Sequence, residues 1–196
     1  MIRIVSEKIV DLLMLHAGVK TDRDVYIYGL ECFISELIGN LCLFIFAAFL
    51  GKLDEMLVWT ISFLAIRTQL GGYHCSNHFR CLLFSTLLGI SGMFLNTLWF
   101  RFPMLAFMII FFCFLFIRKY APIVHKNHPL SESQKRHSQK CGIINFCIIS
   151  FIAIILVALK VTIYSALCSG IILATLLGCI QVIVNGHEIY KNKKSQ

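Results

Sequence analysis

The sequence predicts an all-α membrane protein of about six transmembrane helices, preceded by a short amphipathic helix, with both termini cytoplasmic. Three observations lead there. Of 196 residues, 58% are hydrophobic and only 14% charged, against about 45–50% and about 25% in an ordinary soluble domain. The mean hydropathy of +0.80 sits in long runs, and the remaining polar residues are too few to cover a water-soluble surface. With six crossings, 15 of the 18 Lys and Arg fall on the cytoplasmic side. Only Lys52, Arg101 and Lys160 stay outside, as the positive-inside rule requires of short loops.

Residues 1–28 carry Arg3, Glu7, Lys8, Asp11, Lys20, Asp22, Arg23 and Asp24, with no apolar core of a cleaved leader. Ile2, Val5, Ile9 and Leu12 recur at helical spacing. The segment therefore reads as an amphipathic helix, lying on the membrane or packed on the protein's own cytoplasmic face. Four strong spans follow at about 30–50, 82–100, 143–159 and 161–184. Two weaker ones, 53–66 and 102–117, are short against the roughly 20 residues a bilayer core requires. Charge balance favours counting both, with 53–66 either re-entrant or strongly tilted. The whole of 1–196 is then one polytopic domain.

The longest polar loop, 118–142, holds six basic residues and one acid, and the tail ends in a basic run. These charges serve topology and contact with anionic lipid, or attract an acidic peptide. No nucleic-acid partner is expected. Of nine cysteines, Cys32, Cys42, Cys113, Cys147, Cys168 and Cys179 lie in apolar runs, where a thiol behaves as a small hydrophobe. Cys75, Cys81 and Cys141 have polar surroundings.

Residues 67–81, RTQLGGYHCSNHFRC, interrupt the apolar pattern with two arginines, two histidines, two cysteines and a Gly-Gly pair. A His beside a Cys can draw off the thiol proton and stabilise the thiolate nucleophile. Three pairings are open. Adjacent His74 and Cys75 diverge on any regular backbone. His78 and Cys81 are close on a helix. His74 reaches Cys81 only if the backbone bends, for which Gly71 and Gly72 supply freedom. A helix beginning near Cys81 would add unpaired N–H groups that favour a thiolate and an oxyanion. Two other chemistries compete. His74, His78 and Cys81, with Cys75, could ligate a metal, although the spacing lacks the usual CxxC. A small transporter could use the same groups with Glu36 as a polar path.

The motif and its setting resemble the accessory gene regulator B (AgrB-like) family of bacterial membrane cysteine peptidases. The shared pattern is Arg67, the Gly71-Gly72 pair, His74, and Cys81 seven residues on; the stretch YAPIVHKNHPL (120–130), the length and the span count also agree. Cys75 is a departure, since the family often has Ala there. The resemblance implies cleavage of the C-terminal part of an AgrD-like quorum-sensing propeptide, with Cys81 as nucleophile and His74 as base. It implies a supporting or substrate-binding role for Arg67, Gly71 and Gly72, no cofactor or metal, a homodimer, and a cytoplasmic-membrane location with the site at the inner face. Glu36, with Asn40 four residues on, is expected to face the interior and orient His74, because an acid within a span is costly unless it faces protein.

Overall fold

A computed structural model describes residues 2–17, 23–70, 78–123 and 131–194, without the side chains of 17, 25, 28, 78–82 and 186–194. Among the described residues there are seven α-helices and no strand. They are α1 (Ile2–Ala17), α2 (Arg23–Phe49), α3 (Leu53–Leu70), α4 (His78–Arg101), α5 (Pro103–Tyr120), α6 (Glu132–Ala158) and α7 (Tyr164–Lys194). Five of them, α2 and α4 to α7, contain stretches long and apolar enough to cross a membrane. The outward faces carry large apolar side chains such as Phe94, Met104, Phe111, Phe112 and Phe151. A surface of that kind suits lipid and not water.

α1 packs on α2 through Ser6 and Val10, both buried, while Val5, Ile9 and Leu12 stay exposed. The helix thus rests on its own protein by a narrow polar-apolar edge and keeps the predicted apolar stripe outward. Arg23 at the start of α2 fixes the junction with two bonds to the Asp11 carboxylate, at 2.7 and 3.0 Å. That hydrogen bond, helped by the opposite charge, holds the Asp11 carboxyl below the usual carboxylate range.

α3 is longer than the 53–66 run suggested and sits at the centre. Its 18 residues span about 27 Å at 1.5 Å each. It falls outside the apolar spans because Asp54, Glu55 and Arg67 lie within it. Those charges sit toward its two ends; Met56, Trp59, Ser62, Phe63 and Ile66 between them are buried, as is Leu70 beyond Arg67.

The core around α3 is organised by α7. In its apolar stretch 61% of the residues are buried, against 22–28% in the other four, so α7 is the axis of the bundle. Ala166, Gly170, Ala174 and Gly178 recur every four residues on one buried face. Small residues at this spacing let two helix backbones approach. A Cβ at Gly170 would lie 2.9 Å from the Trp59 carbonyl oxygen and 3.0 Å from the Phe63 nitrogen, and would collide with the Ser62 hydroxyl.

Polar side chains tie the end away from the motif. Ser169 donates to Asn96 Oδ1 at 2.6 Å, and Asn96 Nδ2 donates to Glu55 at 3.1 Å. Lys52 lies 3.6 Å from the same Glu55 oxygen. α7, α4 and α3 are thereby joined, and the acid at the head of α3 is compensated in place.

Candidate active site

Because α3 continues to Leu70, Arg67 stands on its last turn and not in a gap between helices. α4 begins at His78. Gly71, Gly72, His74 and Cys75 lie between the two helices, outside the described residues. Cys81 is the fourth residue of α4; its backbone is described and its side chain is not. The first four N–H groups of a helix have no acceptor within it, so the backbone at Cys81 belongs to the electropositive end of α4. The suggested metal ligands His74, Cys75, His78 and Cys81 all fall on residues or side chains outside this description.

Arg67 has a built seat. Its guanidinium carbon lies 5.5 Å from the centre of the Phe63 ring, and Phe63 stacks on Trp59 at 4.8 Å with the planes 13° apart. Residues 59, 63 and 67 are four apart, so they form a column along one face of α3. The column rests on α4, where a Cβ at Gly92 would come within 2.8 Å of the indole. A cation over an aromatic face is worth about 0.5–2 kcal/mol, enough to favour one orientation of a half-buried arginine.

The last turn of α3 is also clamped from outside. The Ile123 N–H donates to the Leu70 carbonyl at 2.8 Å. Gly178 of α7 leaves room for both side chains: a Cβ there would meet Leu70 at 2.7 Å and Ile123 at 3.1 Å. On α6, Asn145 donates to the Ala65 carbonyl at 3.1 Å, and Gly142 lies against Gln69. The chain thus enters 71–77 from a point fixed by α6, α7 and the segment after α5. Ile123 belongs to the same 120–130 stretch that the sequence set apart.

Glu36 departs from expectation. Its side chain is on the exposed side of α2, and Glu31 is the buried acid of that helix. One turn and a half separate the two, so a face that buries 31 and 35 turns 36 outward. Its height is still informative. Leu43 of α2 packs on Gly89 of α4, and both helices lead away from the motif. Seven residues back from each contact, Glu36 is level with Leu82, beside Cys81.

Arg118, Lys119, Arg136 and Lys140 are exposed at the motif end, with the start of α4 adding positive potential. Much of the supposed loop 118–142 is helical: α5 runs to Tyr120, and α6 starts at Glu132 under a capping box of Ser131 and Gln134. The S-x-x-Q pattern was present in the sequence and marks such a start. The seat of Arg67 on Phe63 and the pairing of His137 with Cys141 at 3.5 Å were also readable only as i, i+4 spacings.

Residues 6–184 match the family model described as Accessory gene regulator B. No curated protein and no solved structure matches the chain.

Proposed function

Since the chain belongs to the accessory gene regulator B family, whose members process the propeptide of a quorum-sensing system, we propose that it is a cysteine endopeptidase embedded in the bacterial cytoplasmic membrane. Its substrate in this reading is an AgrD-like propeptide. Cys81 attacks the scissile carbonyl as a thiolate, and His74 takes the thiol proton and returns it to the leaving amine. The C–N bond breaks and a thioester to Cys81 remains. A Cys or Ser of the bound peptide attacks that thioester, frees Cys81 and closes a ring. With a Cys one thioester replaces another of similar energy, and with a Ser the step to an ester is downhill, so no nucleotide is consumed provided water is kept away.

The observation that carries this reading is the spacing of Arg67, Gly71, Gly72, His74 and Cys81 within the matched region. The position of Cys81 in α4 supports it, because the unpaired N–H groups at a helix start favour a thiolate and the oxyanion of a tetrahedral intermediate. Arg67, seated on Phe63, meets a carboxylate of the propeptide. Gly71 and Gly72 allow the bend that brings His74 back. Glu36, at the height of Cys81, is available to the imidazole or to a basic residue of the peptide. We count α3 as a sixth crossing, which places the motif and both termini at the cytoplasmic face, and we take the working unit to be a homodimer.

The test is to reconstitute the protein with its partner peptide and compare Cys81→Ala with Cys75→Ala. Cleavage should vanish in the first and largely persist in the second. Cleavage surviving in Cys81→Ala, or equal loss in both, would reject the assignment.

A further inference from the structure

We propose that Cys141, paired with His137, is a thiol-exchange site that accepts an anionic low-molecular-weight disulfide from the cytoplasmic side. This inference concerns a part of the surface that the peptidase chemistry does not use.

The pair is built by local structure. The capping box at Ser131 and Gln134 starts α6 at Glu132, so His137 and Cys141 fall four apart on one face of a formed helix. Cys141 Sγ lies 3.5 Å from His137 Nε2. Among the described residues this is the Cys–His pair held in contact. Cys141 is half-buried and His137 exposed, and the pair stands where the polar turns of α6 give way to the apolar run from Ile143. The His137 ring of the pair borders an open groove. Among the other described cysteines, Cys113 and Cys168 are buried, Cys42 and Cys147 lie on outward faces of apolar stretches, and Cys32 and Cys179 are half-buried within such stretches.

The surroundings select the charge of the ligand. A shallow groove of about 460 Å³ on the His137 side of the pair is lined by Glu132, Ser133, Arg136, His137 and Lys140. Its one acid is already engaged by Lys135 at 2.7 Å. Arg136 and Lys140 remain to meet carboxylates, so an anionic disulfide is drawn in and a cationic one is repelled.

Exchange then proceeds in balance. His137 takes the Cys141 proton as the sulfur attacks one sulfur of the disulfide. The S–S bond of the ligand breaks, and the second half leaves as a thiolate that recovers the proton from His137. Cys141 is oxidised to a mixed disulfide and the departing half is reduced to a thiol. The adduct would stand next to Gly142, which lies against Gln69 two residues past Arg67.

The experiment uses the full chain in lipid nanodiscs at neutral pH, treated with oxidised glutathione or with cystamine at equal concentration. Adducts at each cysteine are timed by peptide mass spectrometry and normalised to each reagent's rate with free cysteine. Cys141 should acquire glutathione about tenfold faster than it acquires cysteamine. His137→Gln should slow the glutathione reaction by roughly tenfold, less than the about 10²–10⁴ of a positioned catalytic base because a thiol is already a few per cent thiolate at neutral pH. Arg136→Gln with Lys140→Gln should erase the preference for the anionic reagent with His137 intact. Circular dichroism confirms that the helices persist in each variant. A Cys141 rate equal for both reagents, or unchanged by His137→Gln, would overturn the proposal. Loss of propeptide cleavage in Cys81→Ala bears only on the peptidase reading and leaves this test standing.

Discussion

At the scale of single residues, the reading turns on which histidine serves Cys81. Helical spacing alone prefers His78, three positions before Cys81 and the first residue of α4. The family pattern prefers His74. Variants separate them: His74→Ala should lose activity by about 10²–10⁴-fold, as removal of a general base does. His78→Ala should keep most of it, and a chelator should change neither. Similar losses in both, with sensitivity to chelator, would instead mark the histidines as equal metal ligands. The residues that are conspicuous in the sequence are the chemically distinctive ones, Arg67, His74 and Cys81. What seats Arg67 was not, because Trp59 and Phe63 read in sequence as two more apolar residues of a span. Only their stacking and the guanidinium over the ring reveal the column.

At the scale of elements, the approach of α3 to α7 places the motif, and glycine makes it possible. Gly170→Ala drives a methyl against the Trp59 carbonyl and the Ser62 hydroxyl, where backbone cannot yield. The expected loss is about 1–3 kcal/mol, typical of overpacking, read as a lower midpoint of thermal unfolding in detergent. Gly29→Ala in α2 meets nothing within 4 Å and serves as the control. It should be neutral or slightly stabilising, since Ala exceeds Gly by about 0.5–1 kcal/mol in a helix. An unchanged midpoint in Gly170→Ala would remove the close approach. The four-residue repeat of Ala166, Gly170, Ala174 and Gly178 was visible in the sequence. Its partner was not, because α3 advertises itself by its charged ends and not by any complementary pattern.

At the scale of the whole molecule, the question is how the bundle sits in the bilayer. If α3 crosses, single cysteines at Lys52→Cys and Lys160→Cys, in a thiol-depleted background, should label from outside with an impermeant reagent. Positions within 67–80 and 118–142 should label only after the membrane is opened. External labelling of 67–80 would dismiss the six-span arrangement and the inner-face site together. The central burial of α3, against the shortness of its apolar run, makes this a test of the helix that hydropathy describes least well.

Composition and charge were enough to determine a helical membrane chain, and the 67–81 motif carried the resemblance to its family, because bilayer solvation and thiol chemistry act on residue type. The ends of helices required tertiary structure. α3 gains four residues beyond its apolar run because Leu70 is held by Ile123 and Gly178, contacts from distant parts of the chain. The same holds for the acids of α2. The sequence favoured Glu36 over Glu31, which stands nearer the helix end, but a helix presents only one face to its neighbours. The packing of α2 against α1 and α4 turned Glu31 inward and left Glu36 exposed.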